Sequence, residues 1–181
     1  SPKAWDRTKT ARLPRFYFDL VKERKEQAEK STAFTPAISL ILGLHKVLEK
    51  MHADGLQKIW KRHQDLMSAT REAIEALDLS LLASTHPSPA ATGVLLPPRL
   101  DGTALLSYMR DTMGVDIAGG QDHLKGKIVR ISHIGYVGPF DIITAISCLE
   151  MALARFGCDI RLGTGVTAAE NYLLPTWPTV G

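Results

Sequence analysis

Cysteine is scarce in this chain: Cys148 and Cys158 are the only two in 181 residues. Two thiols cannot build a disulfide framework, a zinc site or a four-thiolate iron–sulfur cluster. The expectation is a reduced, cytoplasmic protein. No apolar run is long enough to cross a bilayer, since Ala37–Leu44 is followed at once by His45 and Lys46. No basic-then-apolar leader pattern opens the chain. Neither sign of charge dominates at a net +3, and no tract joins clustered Lys and Arg to aromatics, which argues against nucleic acid. The glycines of 119–126 lack both the dinucleotide spacing and the P-loop lysine, so a nucleotide is not expected. No internal repeat, low-complexity tract or nucleophile elbow is visible. His123 and His133 have no supporting ligand, so no metal is expected.

What is present is a core-forming composition, 45% hydrophobic and 23% charged, of a size for one domain with appendages. Leu20–Lys30 is charge-rich and expected to be exposed. Residues 37–51 carry two interleaved apolar stripes, which predicts a helix covered on more than one side. Gly55 breaks it, and a second helix runs over about 56–77 on a stripe that includes Trp60, His63, Leu66, Met67 and Ile74. Short strands follow at 79–83 and 93–96, then a helix over 103–113 capped by Asp101, strands at 115–118 and 128–132, and a helix from Pro139 closed by Gly157. From Asp159 onward periodicity is lost, and the tail is expected to be loosely ordered or packed only through Leu173, Leu174 and Trp177. The sum is an α+β fold: a small, mostly antiparallel sheet covered by helices on one face, preceded by a long, broken interdomain helix.

Arg130 stands in the middle of the 128–132 strand. A guanidinium on an otherwise apolar strand needs an anion: either an internal Asp or Glu, or a ligand carboxylate gripped by two parallel hydrogen bonds. A second anion-binding feature is the hydroxyl-rich run Ser31-Thr32-Ala33-Phe34-Thr35-Pro36. Thr35 can cap the helix that follows, or its hydroxyl and the helix-start N–H groups can receive a phosphate.

In order, the glycine pair Gly119–Gly120, the loop 121–127 and the run Arg130-Ile131-Ser132-His133-Ile134-Gly135 resemble the C-terminal end of the class V, fold-type I aminotransferases, the serine–pyruvate and alanine–glyoxylate group. The S-P-K-A-W opening, Arg15-Phe16-Tyr17-Phe18-Asp19, Thr35-Pro36-Ala37 and Gly55-Leu56…Arg62-His63 resemble further segments of that family. The resemblance covers roughly residues 1–157 and implies a division: 1–36 leading out of a large cofactor domain, 37–157 as the C-terminal small domain, and 158–181 as an extension. It implies pyridoxal 5'-phosphate as cofactor, amino-acid and 2-keto-acid substrates of the alanine/serine and glyoxylate/pyruvate types, and a homodimer. Arg130 would hold the substrate carboxylate, while Thr35, with Thr32 or Ser31, would approach the cofactor phosphate of the other protomer. The Schiff-base lysine would lie upstream of Ser1. Lys3 falls after that position, so no catalytic residue is expected in this chain and the chain alone is expected to be inactive. The family also holds chains called soluble hydrogenase subunits, for whose chemistry nothing in this sequence speaks. From another class, the alternative is a non-catalytic amino-acid-binding or dimerisation module.

Overall fold

The computed structural model describes residues 1–177. It divides into two compact units, one from Ser1 to Ala53 and one beginning at Asp54.

The first unit is three helices. Helix α1, Pro2–Thr10, is capped by the Ser1 hydroxyl. Helix α2, Leu20–Ala28, is capped by Asp19, whose Oδ1 accepts from the N–H groups of Val21 and Lys22 at 3.0 and 3.2 Å. Helix α3 spans Ile38–Asp54. None of the three buries a residue. Between α1 and α3 the aromatic rings of Phe16, Tyr17 and Phe34 pack on one another, with the Lys22 ammonium 4.2 Å from the Phe34 centroid. The charge-rich 20–30 segment is exposed, as its composition requires. Helix α3 departs from expectation: Ile38, Leu40, Ile41, Leu42, Leu44, Val47 and Leu48 are each more than half exposed. The two-sided covering that its pattern calls for is not supplied within its own unit. Its start also differs, since Ala37 rather than Thr35 occupies the capping position, its carbonyl accepting from Ile41 N–H at 3.0 Å. Alanine has no side-chain acceptor, so the hydroxyl run lies outside the helix.

The second unit carries the core. Helix α4, Leu56–Ala76, begins at Gly55, whose φ of +82° favours glycine. Its C-terminal half buries Leu66, Met67, Ala69, Ala73 and Ile74, whereas Trp60, expected on the buried stripe, is 56% exposed. The sheet contains β1 (Ser80–Leu81), β2 (Ala91–Leu95), β3 (Ala118–Gly119) and β4 (Ile128–Ser132), in the order β1-β2-β4-β3 with every pair antiparallel. Helix α5, Gly102–Met113, lies between β2 and β3 in sequence and is capped by Asp101 through Thr103 and Ala104 N–H, both at 3.0 Å. Helix α6, Pro139–Arg155, follows β4. One sheet face, with Val94, Val129 and Ile131, joins Leu105, Met109, Ile142, Ile146 and Leu149 in the core. Arg130 and Ser132 occupy the other, exposed face.

Two further expectations fail in the second unit. The strand expected at 115–118 shrinks to Ala118–Gly119, because Gly114 ends α5 at φ +73° and Val115 N–H bonds back to the Met109 carbonyl at 3.1 Å. Val115 therefore belongs to the helix terminator. The tail is not loose through its described part: helix α7, Thr164–Leu173, buries Gly165, Ala169 and Leu173 and lies against α4 and α6. The cause is Glu150 on α6, only 2% exposed, whose carboxylate accepts from Gly163, Gly165 and Val166 N–H at 2.6, 2.7 and 3.1 Å. A carboxylate at a helix N-terminus satisfies orphan donors and meets the positive end of the helix dipole.

Candidate functional site

Strand β4 presents Arg130 with room around it. Its directly opposed partners are Gly93 on β2 and Ala118 on β3, so small residues flank the guanidinium on its own face. Nε donates to the Gly119 carbonyl at 2.8 Å. Among the described residues Arg130 makes no ion pair. Of the two anions that the sequence leaves open, the internal carboxylate is therefore not found, and both Nη groups keep their donors. Arg130 lines a cleft of about 580 Å³ with Asp116, Ala118, Ser132, Val137 and Thr144. Asp141, also in its wall, is already engaged, accepting from Gly138 N–H at 2.8 Å.

Behind β4 lies a buried polar cluster. His133 is fully buried on the covered face, and its Nε2 lies 2.9 Å from the Thr92 hydroxyl. Its Nδ1, like Arg62 Nε, is buried without a hydrogen-bond partner among the described residues. Arg62 Nη2 donates to the Gly135 carbonyl at 3.0 Å, which ties α4 to the turn ending the Arg130 segment. Burial, and secondly the nearby His63, push the His133 imidazole from 6.5 down to about 4. The His63 imidazole is itself lowered, first by burial and then by Arg62.

These shifts set a pH dependence. A histidine kept neutral when folded gains its proton first in the unfolded chain, so stability falls as pH drops from 6.5 towards about 4 and is flat above that window. The loss from His133 is at most about 3 kcal/mol. Urea unfolding of the full-length protein at pH 7 and pH 5 should show the slope, and His133→Gln should reduce it. An unchanged slope would show that His133 does not set it.

The three hydroxyls lie in the first unit, and all are exposed. Thr32 spends its one proton on the Phe34 carbonyl at 2.7 Å. Thr35 and Ser31 make no side-chain hydrogen bond among the described residues, so their donors are available. Lys3, on α1, is exposed rather than enclosed in a shaped pocket. Two features carried no sequence signal: the Glu150 cap, made across 13 to 16 residues, and the Arg62–Gly135 tie, made across 73.

No family model matches the chain. Its sequence is 48% identical over 175 residues to the soluble hydrogenase small subunit of Synechococcus sp., covering 96% of this chain and 45% of that protein. It is 32% identical over 178 residues to the L-aspartate–glyoxylate aminotransferase of Paracoccus denitrificans, covering 97% of this chain and 45% of the enzyme. The pyridoxamine–pyruvate aminotransferase of Mesorhizobium loti superposes with a TM-score of 0.86 at 31% identity, over 98% of this chain and 47% of that one. The chain thus spans about half the length of the curated relatives it matches.

Proposed function

The chain is homologous along nearly its whole length to the C-terminal portion of the class V, fold-type I aminotransferases, and from that premise we propose that it recognises the substrate carboxylate in a pyridoxal-phosphate-dependent aminotransferase. The full-length enzyme would move an amino group between a small amino acid of the alanine or serine type and a 2-keto acid of the glyoxylate or pyruvate type. The observation that carries this reading is Arg130: a guanidinium without a counter-ion among the described residues, flanked by Gly93 and Ala118 and lining a cleft. An exposed guanidinium whose Nη donors are uncommitted can accept an anion from outside the chain, which supports the reading.

Residues 1–36 would lead out of the large cofactor-binding domain, 37–157 would form the small domain, and 158–181 would extend it. When bound, the cofactor would supply an electron sink for loss of the substrate's α-proton. The residues present fit its phosphate: Thr35 and Ser31 hold exposed, uncommitted hydroxyls, whereas Thr32 has already given its proton to Phe34. The exposed apolar length of α3 supports a homodimer, because a strip of that extent is seldom left in water. Thr35 would then reach the cofactor phosphate of the other protomer.

Thr35→Val in the full-length enzyme is expected to weaken cofactor retention by about 1–2 kcal/mol, the scale of one hydrogen bond to a charged group. Cofactor loss on dialysis measures it, beside sedimentation. A monomeric protein with unaltered retention would remove Thr35 from the phosphate site.

The name of the Synechococcus relative raises hydrogen chemistry as a second reading. Two cysteines in this chain cannot furnish a four-thiolate cluster, and the uncommitted fork of Arg130 suits a carboxylate rather than hydrogen. A non-catalytic module that binds an amino acid or dimerises would also use Arg130 or α3, but would show no amino transfer. Assay of the full-length protein for amino transfer and for hydrogen uptake separates the three.

A further inference from the structure

The hydrogen bond from Arg130 to Gly119 carries a consequence for how the carboxylate is held. A guanidinium can offer a carboxylate two parallel N–H groups in two ways: side-on, through Nε and one Nη, or end-on, through both Nη groups. Here Nε is already given to the Gly119 carbonyl at 2.8 Å. That carbonyl is fixed from two directions. On one side, β3 pairs Gly119 with Val129 and Ala118 with Arg130 itself. On the other, the chain turns at Gly120 and folds back on itself: Leu124 N–H bonds to the Gln121 carbonyl at 2.9 Å, Lys127 N–H to the Leu124 carbonyl at 3.0 Å, and Leu96 N–H, just past β2, to the Lys127 carbonyl at 2.9 Å. This fold-back leaves no space for a side chain at 120, where a Cβ would run into the Leu124 carbonyl and stand 2.9 Å from Ile128 Cγ1. At 119 a Cβ would meet Leu106 Cδ1 at 2.8 Å. Leu106 can yield at its tip, whereas the Leu124 backbone cannot, so Gly120 is the steric requirement for bringing this carbonyl to the arginine.

We propose that the Gly119 carbonyl is the positioning group for Arg130: it holds Nε, fixes the plane of the guanidinium, and leaves the two Nη groups as the fork, so that the substrate carboxylate docks end-on. This rests on the reading of Arg130 as the carboxylate anchor. Gly120 acts through Gly119 and does not touch the substrate. The glycine pair and the arginine, which the sequence sets in one ordered block, form one device.

The direct test is the crystal structure of the cofactor-loaded, full-length enzyme with 2-methylalanine, which has the carboxylate but no α-proton to lose. Both carboxylate oxygens on the Nη groups of Arg130, with Nε still on Gly119, is the expected result. A side-on carboxylate with Nε released overturns the inference and leaves Arg130 as the anchor. A carboxylate bound away from Arg130 overturns the inference and the functional reading together. Gly120→Ala provides a kinetic arm: KM for alanine should rise by about tenfold, with kcat within about twofold, because the fork is displaced while the reacting atoms are not. An equal fall in kcat, or no change in KM, counts against the positioning role. Should Gly120→Ala fail to accumulate, the crystal structure alone decides.

Discussion

Arg130→Lys in the full-length enzyme is expected to lower kcat/KM for alanine or serine by about 30- to 1,000-fold, equivalent to about 2–4 kcal/mol, while cofactor content stays near that of the unmodified protein. Lysine keeps the charge and loses the fork. Its ammonium sits on a flexible stem, so it can approach a carboxylate without fixing the orientation that two parallel hydrogen bonds impose. It also cannot bond to the Gly119 carbonyl and offer two further, coplanar donors. The comparison that isolates the carboxylate is ethylamine, which is alanine without it. Its slow half-reaction should change by no more than about threefold in the same variant, because the lost contact is one that ethylamine never made. Equal loss for alanine and ethylamine would recast Arg130 as a structural residue of β4. Unaltered kcat/KM for alanine would take the carboxylate away from it altogether.

The second large effect concerns stability. Glu150→Gln should destabilise the protein by about 2–4 kcal/mol and lower the melting temperature by roughly 6–15 °C, because three N–H donors at the start of α7 share this one buried carboxylate. Glutamine retains a single acceptor oxygen, and its NH2 group would face N–H groups that also donate. The site has little room to adjust, since Oε1 already stands 3.0 Å from where a Cβ on Gly165 would lie. Faster amide exchange confined at first to 163–173 would show that α7 loosens before the sheet does. The exposed Glu170, on the same helix, provides the control, and Glu170→Gln should leave the melting temperature nearly unchanged. A Glu150→Gln protein as stable as the unmodified one would mean that water satisfies those donors equally well.

Legibility in the sequence followed the range of the interaction that decides each element. Asp101 caps α5 from the adjacent position, Pro139 stands in the first turn of α6, and Ile128–Ser132 is a strand by its own β-branched content. These were readable because their causes are local. Helix α7 was not, since its cap stands on α6, and neither was the shrinkage of the 115–118 strand, which depends on Val115 closing the end of α5. Trp60 follows the apolar stripe of α4, but only the C-terminal half of that helix reaches the core. Part of the candidate site was legible in the same way. The chemistry of Arg130 and its place on a strand could be read directly, and the resemblance to class V aminotransferases named a ligand for it. The absence of a counter-ion among the described residues, the small residues on either side and the bond to Gly119 depend on which strands pair, and no local pattern records that. The hydroxyl run shows the limit from the other side: Thr35 looked like a cap because Pro36 follows it, yet Ala37 takes the capping position and Thr35 is left with its hydroxyl uncommitted.

The measurement closest to the central claim is amino transfer by the full-length protein loaded with pyridoxal phosphate, with alanine or serine as donor, glyoxylate as acceptor and glycine as the product followed. The expected result is sustained formation of glycine that falls by about 30-fold or more in Arg130→Lys at subsaturating donor. Formation of no glycine above the protein-free rate from either donor, with the cofactor bound, would contradict it.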